Sequence, residues 1–153
     1  MAWQFNHSIE TRVSREFAWR FWTDVENWSF DPAIEWVKLD GPFRVGAKGT
    51  TRMKGADLVN WEITDLKEGE SALIEIPLPG AIGRFFWRFE ELSKATTRIT
   101  QQITLRGPQA EMYEAQMGPE MEQGIRAGME ALGKALEIGA HASKHEYGEA
   151  DGT

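Results

Sequence analysis

The segment from Met121 to Leu136 constrains this chain more than any other. Met121, Ile125, Met129, Leu132 and Leu136 recur there at steps of three and four, which is the apolar stripe of an amphipathic helix. No second stretch reads as a long helix. Upstream lie short alternating segments separated by turn residues, the pattern of an antiparallel sheet with one face left to cover. A single long helix must do most of that covering. Its stripe is unusual, because Gly124 and Gly128 lie within or beside it and Met117, Met121 and Met129 supply much of its bulk. An interior Gly costs about 1 kcal/mol of helix propensity, so a helix built for stability alone would prefer Leu and Ala. Two readings stay open: glycines and flexible methionines could line an adaptable apolar pocket, or the glycines could admit Trp36, Trp61 and Trp87 into a filled core.

Along the chain, Trp3 to Val13 alternates apolar and polar residues, a strand whose odd positions point inward. His7 therefore falls on the apolar face, either as a hydrogen-bonded core residue or as a functional group. Ser14 can cap a short helix reaching about Asp24, with Phe17, Ala18, Phe21 and Val25 on one side. Asp31-Pro32 reads as an N-cap followed by proline at the first position of a second, very short helix. Strands are expected at 34–39, 49–54, 58–65, 71–77, 84–92 and 97–106. On these, Met53, Trp61 and Trp87 face inward, whereas the inward face of 34–39, which holds Trp36, stays unassigned. The apolar segment 77–83 has two prolines and two glycines, so it is expected to be an irregular loop that packs over the core or guards an entrance. Gln101 interrupts the apolar face of 97–106; such an amide must find partners or face a wet cavity. Gly118-Pro119 is expected to split the helical region, leaving Gln109 to Met117 as a separate or kinked turn.

The chain has 153 residues, which suits one domain, here 1–140, followed by a polar tail over 141–153 expected to be disordered. With no Cys, there is no disulfide, thiolate nucleophile or Cys-based zinc site. A net charge of −7 argues against nucleic acid and anionic membranes as partners. Neither an export signal nor an apolar run of about 20 residues is present, so a cytoplasmic protein without a membrane span is expected. Seven Trp and eight Phe against two Tyr fit a large core or an aromatic-lined cavity. No P-loop, dinucleotide fingerprint, zincin motif or nucleophile elbow occurs, so no cofactor is expected. His141 and His145 have helical metal-ligand spacing but no third ligand, and no metal is expected. Acid/base candidates for a pocket are His7, Glu114 and Asp31, with Gln101 as a hydrogen-bond donor.

The stretch from Val13 to Trp28 (Val-Ser-Arg-Glu-Phe-Ala-Trp-Arg-Phe-Trp-Thr-Asp-Val-Glu-Asn-Trp), then Asp31-Pro32, Phe43-Arg-Val-Gly-Ala-Lys-Gly49 and the closing helix, resembles the START-like or Bet v 1-like (SRPBCC) superfamily. The likeness runs from about Trp3 to Ala140 and is strongest to the bacterial polyketide cyclase/dehydrase-like members. It implies an α+β helix-grip fold: a curved seven-stranded antiparallel sheet wrapped around a long C-terminal helix, with two short helices after strand 1. It also implies a cavity for a small hydrophobic ligand such as a lipid, a polyketide or an aromatic compound, carried or sensed by a monomer or homodimer. The residues expected to line it are His7, Trp36, Met53, Trp61, Trp87, Gln101, Met117, Met121, Gly124, Ile125 and Gly128. Alternatives within the same resemblance are a cyclase/dehydratase-like lyase, with His7, Gln101 and Glu114 as catalytic candidates, and a chaperone-activator-like interaction module.

Overall fold

The computed structural model describes residues 3–151, with side chains for residues 4–142. Seven strands form one antiparallel sheet: β1 (Trp3–Thr11), β2 (Ile34–Leu39), β3 (Lys48–Met53), β4 (Leu58–Lys67), β5 (Ser71–Leu78), β6 (Ala81–Ser93) and β7 (Thr96–Arg106). Their spatial order is β1-β7-β6-β5-β4-β3-β2, so the first strand closes against the last. After β1 come the helix α1 (Arg15–Thr23) and a 3-10 helix (Val25–Phe30), and the chain ends in the long helix α2 (Ala110–Asp151). This is the expected helix-grip architecture. Register breaks in β2, β4 and β6 insert extra residues between strands, and such bulges bend a sheet.

Period-two patterning explains the strands. Phe5, His7, Ile9 and Thr11 pair with Ile103, Gln101, Ile99 and Thr97, and all lie on the inner face. Ser14 caps α1 as its spacing suggests, its hydroxyl accepting from the Phe17 amide at 3.1 Å.

Three local expectations fail. The second short helix precedes Asp31 and does not follow it: Asp24 caps the 3-10 turn by accepting from the Glu26 amide, and the Asp31 carboxylate bends the chain by accepting from the Ala33 amide at 2.9 Å. Residues 77–83 are not an irregular loop but the end of a hairpin, with Pro77 opposite Ile82 and Leu78 opposite Ala81 across a Pro79-Gly80 turn. Pairing of β4 with β5 stops at Glu75, so the missing Pro77 amide has no strand to serve on that side. Gly80, at φ +73°, supplies the turn conformation. Finally, α2 runs through Pro119 without interruption. The bond that Pro119 cannot donate would go to the carbonyl of Ala115, an exposed residue whose carbonyl water can satisfy. The helical backbone continues to Asp151, and side chains of the segment expected as a tail lie outside the described residues from 143 onward.

The hairpin tip is fastened to the start of α2. The Gln109 amide donates to the Gly80 carbonyl at 2.9 Å, and the Tyr113 hydroxyl donates to the Pro79 carbonyl at 2.8 Å. Gly107 makes this approach possible, since a Cβ there would lie 2.7 Å from the Gly80 carbonyl oxygen.

Candidate functional site

Helix α2 runs along β1 in the same direction as the strand. Glu137 accepts from the Thr11 hydroxyl at 3.3 Å and the Arg12 amide at 3.2 Å; Gly133 faces Ile9; the Arg126 guanidinium lies 5.1 Å from the centre of the Phe5 ring. Four helical residues rise about 6 Å and two strand residues about 6.7 Å, so helix and strand stay in step. Contact is closest at the C-terminal side of this stretch, where Leu136, Leu132 and Met129 are fully buried. Towards the N-terminus it loosens: Ile125 is 8% exposed, Met121 and Met117 are half-buried, and a Cβ on exposed Gly124 would meet nothing within 4 Å. Beneath this looser half, Phe5, His7, Ile76, Phe85 and Trp87 on the inner face of the sheet are also only half-buried. The sheet is sealed at one end and incompletely covered at the other.

The sealed end is filled by aromatic rings. Trp22 of α1 is 1% exposed, and the rings of Trp19, Trp28, Phe43, Trp87 and Phe89 lie 4.9–5.8 Å from its own. Trp28 stacks in turn on Trp61 at 5.2 Å. The indole N–H groups of Trp19, Trp28 and Trp61 donate to Glu68, to the Trp22 carbonyl and to the Thr51 hydroxyl. These rings pack the sealed end, with three of the indole N–H groups satisfied, and half-buried Trp87 stands where it borders the looser half.

At the looser end one row of the sheet differs chemically from its neighbours. His7, Gln101 and Trp87 are cross-strand partners on β1, β7 and β6. Gln101 is 7% exposed, yet among the described residues its amide has no hydrogen-bond partner. Neither amide atom is among the fully buried unpartnered ones, so the polar end of Gln101 stays accessible at the inner face, where water or a ligand can satisfy it. Burial, and to a lesser extent the Arg126 charge, lower the His7 pKa from its ordinary value, so the imidazole is mostly neutral at pH 7. A neutral imidazole offers one donor and one acceptor, and the Gln101 amide adds two donors and an acceptor.

Of the residues expected to line a cavity, the fold brings His7, Gln101 and Trp87 together, with Met117 and Met121 on the helix above the looser half. It separates others. Trp36 pairs with Arg52 on the outer face, where the Lys38 ammonium lies 5.2 Å from its ring centre, because a bulge at Glu35 reverses the alternation. Trp61 and Ile125 belong to the packed core. Met53 is on β3, four strand spacings from Gln101, or roughly 19 Å along the sheet. Glu114 is exposed and lies twelve helical residues from Arg126, about 18 Å along the axis, so it does not join His7.

Gly128 does not line open space either. A Cβ there would be 2.6 Å from Asp31 Oδ2, so this glycine seats the Asp31 corner against α2. Gly128→Leu is therefore expected to lower stability by about 1 to 3 kcal/mol through overpacking. Urea unfolding should show a lower midpoint at unchanged slope. The Asp31 contact has no signature in the local sequence. Trp19 and Trp22 do widen the apolar side of the first helix in the sequence, but nothing in spacing alone marks Trp22 as the hub.

A family model described as polyketide cyclase / dehydrase and lipid transport matches residues 2–137. Among solved structures, norcoclaurine synthase from Thalictrum flavum, in complex with dopamine and hydroxybenzaldehyde, is similar with a TM-score of 0.70 at 12% identity, over 90% of this chain and 88% of that one. The Zhui aromatase/cyclase from a Streptomyces species gives a TM-score of 0.74 at 12% identity, over 90% and 94%. A protein from Arthrobacter aurescens gives 0.69 at 18% identity, over 88% and 86%. At these identities the likeness is one of fold. A search of curated protein sequences returns no match. Among the described residues, no helix is long and apolar enough to cross a membrane, and no group of three or more His, Asp or Glu side chains could hold a metal ion. The side chain of His145 lies outside the described residues.

Proposed function

As a chain that belongs to the polyketide cyclase / dehydrase and lipid transport family, this protein, we propose, binds a small hydrophobic molecule between the inner face of the sheet and the N-terminal half of α2. In this reading it carries or senses that molecule. The observation that supports it is the burial gradient along α2: the core is dense beneath Leu132 and Leu136, while apolar residues facing Met117 and Met121 stay half-buried. A domain of this size has ample apolar surface to close that gap if closure were the only requirement. An incompletely covered, aromatic-rich inner face suits an apolar ligand.

Saturable one-to-one binding of the uncharged dye Nile red is the expected result, with native mass spectrometry showing a co-purified adduct or its absence after delipidation. Met121→Trp, which places bulk above the looser half, should weaken dye binding at least tenfold while leaving the thermal midpoint nearly unchanged. Absence of saturable binding to the delipidated wild type would remove the proposal.

A cyclase/dehydratase-like lyase is the second reading. It is favoured by His7, a mostly neutral imidazole in register with Gln101, which could take a proton from a bound substrate at neutral pH. On any activity found, His7→Ala and Gln101→Ala that leave turnover unchanged would take both residues out of the mechanism.

A further inference from the structure

We propose that the molecule held beneath α2 carries an uncharged oxygen, a carbonyl or a hydroxyl, on its apolar body, and that Gln101 together with His7 recognises that oxygen. The inference rests on the ligand-binding reading and adds the chemical class of the ligand. It starts from Gln101, which is more than nine-tenths buried on the inner face and has no hydrogen-bond partner among the described residues. Its neighbours one step along the same face of β7 are Ile99 and Ile103, both fully buried. A Leu at position 101 would continue that pattern; the amide instead keeps its polar end accessible between two sealed isoleucines, where a ligand's oxygen can take the place of water.

The flanking residues narrow the chemistry. Across β1 stands His7, an imidazole held mostly neutral by its burial; across β6 stands Trp87, a half-buried ring that can lie against an aromatic body. Neither Gln101 nor neutral His7 brings the formal charge that a buried carboxylate needs. The cation acting on His7 is Arg126, whose residue is exposed on α2 with its guanidinium over the Phe5 ring. Amide and imidazole together match a carbonyl or hydroxyl oxygen, and they discriminate against its hydrocarbon analogue, which would leave both polar groups unpaired.

Displacement of Nile red by three matched naphthalenes tests this. 2-Acetylnaphthalene and 2-ethylnaphthalene share the same ring body and differ in the oxygen, while 2-naphthoate adds a charge. In the wild type the ketone should bind about 3- to 10-fold more tightly than the hydrocarbon, as expected for one net hydrogen bond. Gln101→Met, close in shape to glutamine, should bring the two within twofold of each other, and His7→Phe should reduce the preference in part. Gln101→Leu is a second variant in case the first misfolds, and both should melt close to the wild-type temperature. Equal binding of ketone and hydrocarbon by a wild type that does bind Nile red would overturn this inference and leave the ligand-binding reading standing. So would a preference that survives in both Gln101 variants, or tighter binding of 2-naphthoate than of the ketone. Failure of Nile red itself to bind would instead remove the reading on which the inference rests.

Discussion

Trp22→Ala is expected to destabilise the protein by about 3 to 5 kcal/mol, the cost of truncating a fully buried Trp. Whole domains of this kind are stable by about 5 to 15 kcal/mol, so the variant would sit near the edge of folding. The size of the effect follows from position. Trp22 is 1% exposed and touches rings contributed by α1, the 3-10 helix, the β2–β3 connection and β6, so its removal opens a void shared by every element of the sealed end. Surrounding rings are rigid and cannot collapse into such a space as methionines would. The Trp28 indole donates to the Trp22 carbonyl at 2.7 Å, which keeps the backbone anchored and limits relaxation further. Urea unfolding followed by far-UV circular dichroism measures this, and a loss below about 1 kcal/mol would mean that Trp22 is not the hub of the cluster.

Gly49→Val is expected to cost about 3 kcal/mol. Gly49 and Trp61 are cross-strand partners on the inner face of β3 and β4, and the Trp61 ring lies flat over the glycine, so a Cβ at position 49 would overlap the ring. Trp61 is 4% exposed and held by its stack on Trp28 and its hydrogen bond to Thr51 at 2.9 Å. A valine forces the indole to give up both. The cost is therefore that of losing a buried Trp, at the upper end of what overpacking produces. Because both residues occupy one space, Gly49→Val and Trp61→Ala should not add: the double variant should be at least 1 kcal/mol more stable than the sum of the single losses predicts. Additive losses would show that the ring can move aside freely.

Much of this fold is legible in the amino-acid order because period-two and period-3.6 patterning report directly on which face is buried. The inward positions of β1, β4, β5, β6 and β7 and the stripe of α2 follow from that patterning, as does the Ser14 cap from its spacing. What patterning misses is non-local. Trp36 lies outside because one bulge at Glu35 reverses the alternation, and a bulge leaves no compositional mark. Pro77 reads as a breaker, yet it is accommodated because β4 pairs with β5 only as far as Glu75, a fact about a strand more than ten residues away. Gly128 looks like a gap in the helix and is filled by Asp31, nearly a hundred positions earlier. His7 and Gln101 are visible separately as polar exceptions on apolar faces. Their pairing depends on the β1–β7 register, which spans most of the chain.

That same closure governs when the protein can fold. Ser8 of β1 bonds to Thr100 of β7, 92 positions later, and among the described residues β7 is the strand that pairs with β1. At a synthesis rate of about 5 to 20 residues per second, the first strand waits roughly 5 to 18 s for its partner. Strands β2 to β6 can zip as successive hairpins meanwhile, whereas the N-terminal strand keeps an apolar face and open backbone groups on offer. Native contacts of such long sequence separation also slow refolding from denaturant. The opening strand of this chain is therefore the segment most in need of protection on the ribosome, although in the finished molecule it is the strand along which α2 lies.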